Sequence, residues 1–354
     1  MSAESGSALI KLEFANPRIS VIVTCFNAAE TIVECVQSLT SQNYLNIEVI
    51  LVDAGSTDGT TSQALRAAGN QANFKLIVDE SASTPARGRN VGARAARGDF
   101  LAFTDSDCIA EPDWISALFN PENWKPDVGA VGGKTVFTDI PQERSMLTAL
   151  HGALGTRLGS GGSIEFFDGN HPSSAKSLPS CNAMYSSKAF KLSGGFDESL
   201  RYCEDSCLNA RIRRGGLKLA YTPKAIIHHK HRNSIGQFVR WMYDYGVGRG
   251  VAMKRDRGAI TLPALLLMLV SLLVLSIAIW RVFPLDLLLV SSLALYLTID
   301  IAASITKTRK PQEETLLYAA SFPLIHFSYL AGLARGLVRR RLEPLAHPSS
   351  VSHV

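Results

Sequence analysis

Four short apolar runs alternate with helical patterns in the N-terminal third of this chain. Ile19-Ser-Val-Ile-Val-Thr24, Ile47-Glu-Val-Ile-Leu-Val52, Lys75 to Val78 and Phe100 to Thr104 read as strands. Between them, Ala28 to Gln42, Thr60 to Ala68 and Arg87 to Arg97 carry helical signals, the first through Ile32, Cys35, Val36 and Leu39. Strands that alternate with helices predict an α/β fold with a parallel, doubly wound sheet. Such sheets bind ligands in the crevice at the carboxyl ends of their strands. Polar residues gather at those ends: Asn27 after the first run, Asp53 after the second, Asp105 and Asp107 after the fourth.

Asp105-Ser-Asp107 puts two carboxylates one residue apart at the end of a buried strand. They repel unless something neutralises them. A divalent cation holding a diphosphate does so: hard oxygen ligands suit Mg²⁺ or Mn²⁺, which commonly bind through one or two carboxylates plus substrate phosphates. The plain alternative is a loop with two solvated aspartates. Asp53-Ala-Gly-Ser-Thr-Asp-Gly59 reads as a loop leading into a helix, with Ser56 or Thr57 at the cap and Asp58 in the first turn. That leaves Asp53 as a hydrogen-bond acceptor for a base or ribose.

Further on, Gly129 to Val136 predicts a strand, Gly194-Gly-Phe-Asp-Glu198 a turn, and Glu204-Asp205 the start of a helix through Arg214. His228-His229-Lys230-His231 is either a strand edge or a source of a metal ligand, with His229 the favoured one. Gly246-Val-Gly248-Arg-Gly250 has no strand before it, which removes a dinucleotide-loop reading.

Together these segments resemble a family-2 glycosyltransferase of the GT-A fold. The matching residues are Val21 to Asn27, Val52 to Thr60, Ala86 to Gly92, Thr104 to Asp107, Gly194 to Glu198 and Glu204-Asp205. The resemblance covers roughly residues 18–235 and implies a nucleoside-diphosphate sugar, most readily a UDP-sugar, with a divalent metal and inversion at the anomeric carbon. It implies nucleotide-sugar contacts at Thr24, Asn27, Asp53, Asp58, Arg89 and Asp105, metal ligation by Asp107 with Asp105 or His229, and Asp205 as catalytic base beside Glu204. Ala54 departs from the family, many members carrying a second aspartate there. Gln237-Phe-Val-Arg240-Trp241 matches the Gln-x-x-Arg-Trp pattern of processive polysaccharide synthases, where it helps hold acceptor and nucleotide. An amphipathic interface helix explains the same residues.

The chemistry agrees. Sugar transfer needs a hydroxyl deprotonated as it attacks C1, a task for one carboxylate, and a diphosphate stabilised as it leaves, a task for one metal. A processive synthase is one alternative function, and a non-catalytic sugar-nucleotide-binding protein is another.

Beyond residue 257 the composition changes. Leu262 to Trp280 is 19 residues without a charge, enough to span a bilayer. The expected membrane segments are about 262–282, 285–306 and 315–335, the third either spanning or broken at Pro323. The expected organisation is an N-terminal tail (1–17), a catalytic domain (18–235), an amphipathic interface helix (236–257), membrane segments (258–338) and a basic tail (339–354). Met1 to Gly6 lacks a signal-peptide pattern, and Lys254, Arg255 and Arg257 precede the first segment. Both place the catalytic domain in the cytoplasm of a multi-pass inner- or cell-membrane protein, working on a lipid-linked acceptor. The net charge of +5 comes from basic residues flanking the apolar segments. No basic stripe interleaved with aromatics supports nucleic-acid binding. The six cysteines lack CxxC spacing and read as reduced and structural.

Overall fold

A computed structural model of the chain describes residues 16–138, 145–161, 163–164, 174–230, 234–256 and 312–339. Its contacts divide it into two units, residues 1–136, 172–229 and 343–354 in one, and 137–171 and 230–342 in the other. The expected membrane segments 262–282 and 285–306 lie outside the described residues.

In the first unit, β1 (Ile19–Cys25), β2 (Ile47–Asp53), β3 (Phe74–Val78) and β4 (Phe100–Asp105) form a parallel sheet in the order β3-β2-β1-β4. Register is set by Ile19 opposite Ile47 on one side and Phe100 on the other. Every residue of β2 is buried, as expected for a strand covered on both faces. The chain moves outward from β1 to β3, then returns to β4 beyond β1. The strand order therefore reverses between β1 and β4, and a reversal of this kind opens a ligand crevice at the strands' carboxyl ends.

The first helix follows the predicted stripe. α1 (Ile32–Thr40) buries Ile32, Cys35, Val36 and Leu39. It starts later than its periodicity suggests, because the amides of Asn27, Ala28 and Ala29 donate to Ser56, Thr60 and Asp58 in the loop after β2. α2 spans Thr60–Ala68. α3 (Pro85–Ala95) starts at a proline behind the cap Thr84, whose hydroxyl accepts from the Arg87 amide, an arrangement that tolerates proline's missing donor.

β5 (Cys108–Ala110), β6 (Val128–Thr138), β7 (Ser174–Ala175), β8 (Ala183–Ser186) and β9 (Lys218–Lys230) extend the sheet, with α4 (Trp114–Leu118) between β5 and β6 in the chain. The predicted parallel arrangement holds only for the first four strands. β8 runs antiparallel to β4, β6 antiparallel to β8, and β5 antiparallel to β9, so the sheet is mixed. Buried Asn182 knits this half together: its amide donates to the Lys134 and Ala225 carbonyls, and its oxygen accepts from the Trp114 indole. α7 (Ser187–Leu192) follows β8, and α8 (Glu204–Arg214) precedes β9. All six cysteines are free and buried.

The close seating of α3 on β1 depends on glycine. A Cβ at Gly88 would come within 2.7 Å of Thr24 Cγ2, and one at Gly92 would collide with Ile22 Cγ2. Gly92→Ala is therefore expected to cost about 1–3 kcal/mol, typical of overpacking. Thermal unfolding of the variant beside the unaltered protein checks this.

In the second unit, α5 (Met146–Leu154), α6 (Arg157–Ser160), α9 (Ile235–Arg255) and α10 (Gln312–Val338) are the described helices. Leu147, Leu150 and Leu154 pack with Phe238, Met242, Phe322 and Ile325. α9 and α10 run side by side in the same direction. Gly246 and Gly250 abut Tyr329, Leu333 and Leu337, while Gly332 and Gly336 abut Tyr243 and Val247. Facing small residues let two helix backbones approach closely, and this accounts for the glycine-rich Gly246 to Gly250. α10 is continuous through Pro323, so of the two readings of this segment the broken helix does not occur. Among the described residues, Thr315–Val338 is long and apolar enough to cross a membrane.

Candidate active site

The loops after β1 and β2 fasten to each other. Asn27, in the left-handed region at φ 48°, accepts the Thr57 amide at 3.0 Å and donates its own amide to Ser56 Oγ at 2.8 Å. Asp58 accepts from Ala29 N at 3.0 Å and from the Thr60 hydroxyl at 2.5 Å. Burial works against its charge, but these donors outweigh it and hold the carboxyl below its usual range. Asp53 is 1% exposed. One oxygen accepts from the Ser56 amide and hydroxyl, at 3.0 and 2.6 Å, and the other from the Thr61 hydroxyl. The sequence gives Asp53 no capping duty. In the structure it caps and braces its own loop, because the chain turns back over it within three residues.

These loops wall a cavity of about 360 Å³ lined by Thr24, Phe26, Asn27, Val52, Ala54, Thr84, Gly88 and Arg201 among others. Thr24 and Asn27, both read as site residues from the sequence, line this cavity. Asp53 and Asp58 stand behind the wall as its braces. Arg201 is a site residue that sequence reasoning passes over; its signal is its position three residues before Glu204.

Arg89 extends from α3 into the interior and is 4% exposed. One arm, Nη2, donates to Asp105 Oδ1 at 2.5 Å, and the other, Nη1, to Glu204 Oε1 at 2.6 Å. Its guanidinium stands 5.7 Å from the centre of the Phe196 ring. Burial opposes its charge, but Asp105 and Glu204 outweigh that and strengthen its hold on the proton.

Glu204 and Asp205 open α8 with different surroundings. Glu204 is buried, and its Oε1 also accepts from Ser180 Oγ at 3.2 Å. Burial pushes its carboxyl up to about 7 against the pull of Arg89, with Asp205 adding to the rise. Asp205 is half-buried and sits about 100° further round the helix.

Asp107 meets β9. Cys108 pairs with His229 across β5 and β9, which brings His229 Nε2 to 3.2 Å from Asp107 Oδ1. Ligand atoms of Asp107, Cys108 and His229 lie within 4.8 Å of one another. Two adjacent ligands of an octahedral ion with bonds of about 2.1 Å stand about 3 Å apart, so the Asp107–His229 spacing fits one Mg²⁺ or Mn²⁺. Cys108 fits poorly, because Mg²⁺ and Mn²⁺ prefer hard oxygen ligands to a soft thiolate. Asp105, the other predicted ligand, is paired to Arg89.

Gln237, Arg240 and Trp241 lie on α9, in the other unit. Gln237 and Arg240 are exposed. Trp241 packs against the Phe238 cluster, so packing accounts for it. Arg240 lines a cavity of about 580 Å³ with Gly236, Val239, Tyr243, Asp244 and Ser328.

Residues 20–191 match the model of glycosyl transferase family 2. The pre-mycofactocin glycosyltransferase of Mycobacterium tuberculosis is 28% identical over 256 residues, 70% of this chain and 52% of that protein. Glycosyltransferase AglE of Haloferax volcanii is 33% identical over 124 residues, 34% of this chain and 40% of that protein. The chain thus spans about half or less of these curated relatives. Among solved structures, the mannosyltransferase PcManGT of Pyrobaculum calidifontis, in complex with GDP-Man and Mn²⁺, superposes with a TM-score of 0.61 at 18% identity, over 93% of this chain and 89% of that one. At that identity the likeness is one of fold.

Proposed function

As a member of glycosyl transferase family 2 through residues 20–191, with a sheet of the GT-A arrangement, the chain is, we propose, an enzyme that moves one sugar from a nucleoside-diphosphate sugar to a lipid-linked acceptor at a membrane, with inversion. The observation that carries this reading is the gathering of Asp105, Asp107, His229, Arg89 and Glu204-Asp205 at the carboxyl ends of β1 and β4. Arg89 meets Glu204 across 115 positions of chain, and Asp107 meets His229 across more than a hundred.

The nucleoside enters the cavity beside Thr24, Asn27 and Ala54, and the braced carboxylate of Asp53 keeps that wall in shape. UDP is the favoured carrier. Asp107 and His229 would hold Mg²⁺ or Mn²⁺, which would offset the charge on the departing diphosphate. Asp205 takes the proton of the acceptor hydroxyl as its oxygen bonds to C1. The bond from C1 to the diphosphate oxygen breaks, and the nucleoside diphosphate leaves with that electron pair. Glu204 is buried and its Oε1 is taken up by Arg89 and Ser180, so it is poorly placed to meet an acceptor hydroxyl. Half-buried Asp205 suits the task better. The apolar helix Thr315–Val338 supports a greasy acceptor and a membrane location. The pattern at Gln237 to Trp241 would favour processive synthesis, but the packing of Trp241 weakens that alternative.

Transfer of radiolabel from nucleotide sugars into the organic-extractable lipid of membranes containing the full chain tests the reading. One labelled sugar per acceptor is expected. Long polymer at early times would replace it with a processive synthase. Nucleotide-sugar binding without transfer would replace it with a non-catalytic binding protein.

A further inference from the structure

Arg89 joins the two halves of the site, and neither of its arms is spent on solvent. One arm ends on Asp105, the last residue of β4 and two before Asp107; the other ends on Glu204, the residue before Asp205. The two nitrogens belong to one rigid planar group. Their fixed spacing therefore refers both segments to a common origin, as a lysine ammonium could not.

The base-bearing turn needs such a reference. Cys203, immediately before Glu204, has φ 64° and makes no side-chain cap to α8. A non-glycine residue persists in the left-handed region only where its surroundings over-determine it. Glu204 supplies that constraint through Arg89 and the Ser180 hydroxyl.

Arg89 is itself well held. Gly88 and Gly92 seat α3 on β1, as described above. Asn90, the next residue, clamps the Gly194 to Glu198 turn: its oxygen accepts from Phe196 N at 3.0 Å, and its amide donates to Phe196 O at 2.9 Å and Glu198 Oε1 at 3.0 Å. That turn brings the Phe196 ring up to the guanidinium.

We propose that Arg89 is the positioning residue of the base: by bracing Glu204 against Asp105 it fixes the first turn of α8, and hence the direction of Asp205, relative to the donor loop. The inference rests on the sugar-transfer reading above. It gives Arg89 a different task from direct nucleotide contact. Its place is between the carboxylates, and the donor feels it through the loops it braces.

The test uses the full chain with the donor that labels lipid, and measures kcat together with the affinity for UDP in Mn²⁺. Arg89→Lys keeps the charge and loses the fork, so kcat is expected to fall about 100-fold, the scale of a misplacement of about 1 Å, while UDP affinity stays within about threefold. Guanidinium ion added to Arg89→Ala should restore part of kcat, and added ammonium should not. If Arg89→Ala does not fold, the double variant Arg89→Met with Glu204→Gln removes the guanidinium together with its buried partner and leaves the more exposed Asp105 carboxylate to solvent. It should fold, bind UDP and remain slow. UDP affinity falling in step with kcat in Arg89→Lys would overturn the inference, because Arg89 would then hold the donor directly. Unchanged kcat in Arg89→Lys, or a double variant that folds and turns over normally, would overturn it too, while leaving sugar transfer standing. Absence of transfer by the unaltered chain with every donor would instead remove the reading beneath it, and the inference with that reading.

Discussion

Asp107→Ala is expected to lower turnover by about 10³-fold or more, because charge stabilisation at a leaving phosphoryl oxygen is worth several kcal/mol and each 1.36 kcal/mol is tenfold in rate. The fold should survive. The Asp107 side chain is 36% exposed and meets the imidazole of His229, so its truncation opens no deep cavity in the core. Single-turnover kinetics of nucleoside diphosphate release measure the effect, and circular dichroism checks the fold. His229→Ala should give a smaller loss of the same kind, seen as a higher Mn²⁺ requirement. Near-normal turnover in Asp107→Ala would move the metal elsewhere.

Asp205→Asn is the second large effect, about 10²–10⁴-fold on kcat, the range for a positioned general base. Asparagine preserves shape and hydrogen bonding and removes only the proton acceptor, so donor affinity should hold. Glu204→Gln separates the neighbours. It keeps an oxygen to accept from Arg89 and Ser180, and should cost far less than Asp205→Asn. A Glu204→Gln loss equal to that of Asp205→Asn would exchange the roles assigned to the pair. Steady-state kinetics of the two variants, side by side, decide it.

Much of the first unit was legible in the sequence because its signals are local. Each of β1 to β4 is a short apolar run, and α1 buries the expected stripe. The polar residues that end those strands follow from the same pattern. The antiparallel half was less legible. Its register depends on pairings such as Cys108 with His229, separated by more than a hundred residues, and no local period encodes them. His229 could accordingly be named as a possible ligand, while its partner Asp107 was known only through the strand before it.

Asp53 and Arg89 mark the other limit. Both sit in matching motifs and both read as cleft residues. In the structure Asp53 faces Ser56 and Thr61, and Arg89 faces Asp105 and Glu204. The face of α3 that meets β1 is set by Gly88 and Gly92. That choice turns Arg89 toward the interior, which follows only once the sheet is in place. The sequence removed a dinucleotide-loop reading of the glycines from 246 to 250 but offered no other; their explanation, close approach of α10, required a helix more than sixty residues away.

The central claim is metal-assisted release of a nucleoside diphosphate from a sugar nucleotide at Asp107. The most direct measurement is nucleoside diphosphate release from a panel of UDP- and GDP-sugars by the full chain in membranes, across a Mn²⁺ titration, with Asp107→Ala in parallel. The account predicts release from one donor class that rises with Mn²⁺, stops on chelation and is nearly absent in the variant. Release that persists in chelator, or that is equal in the two proteins, would contradict it.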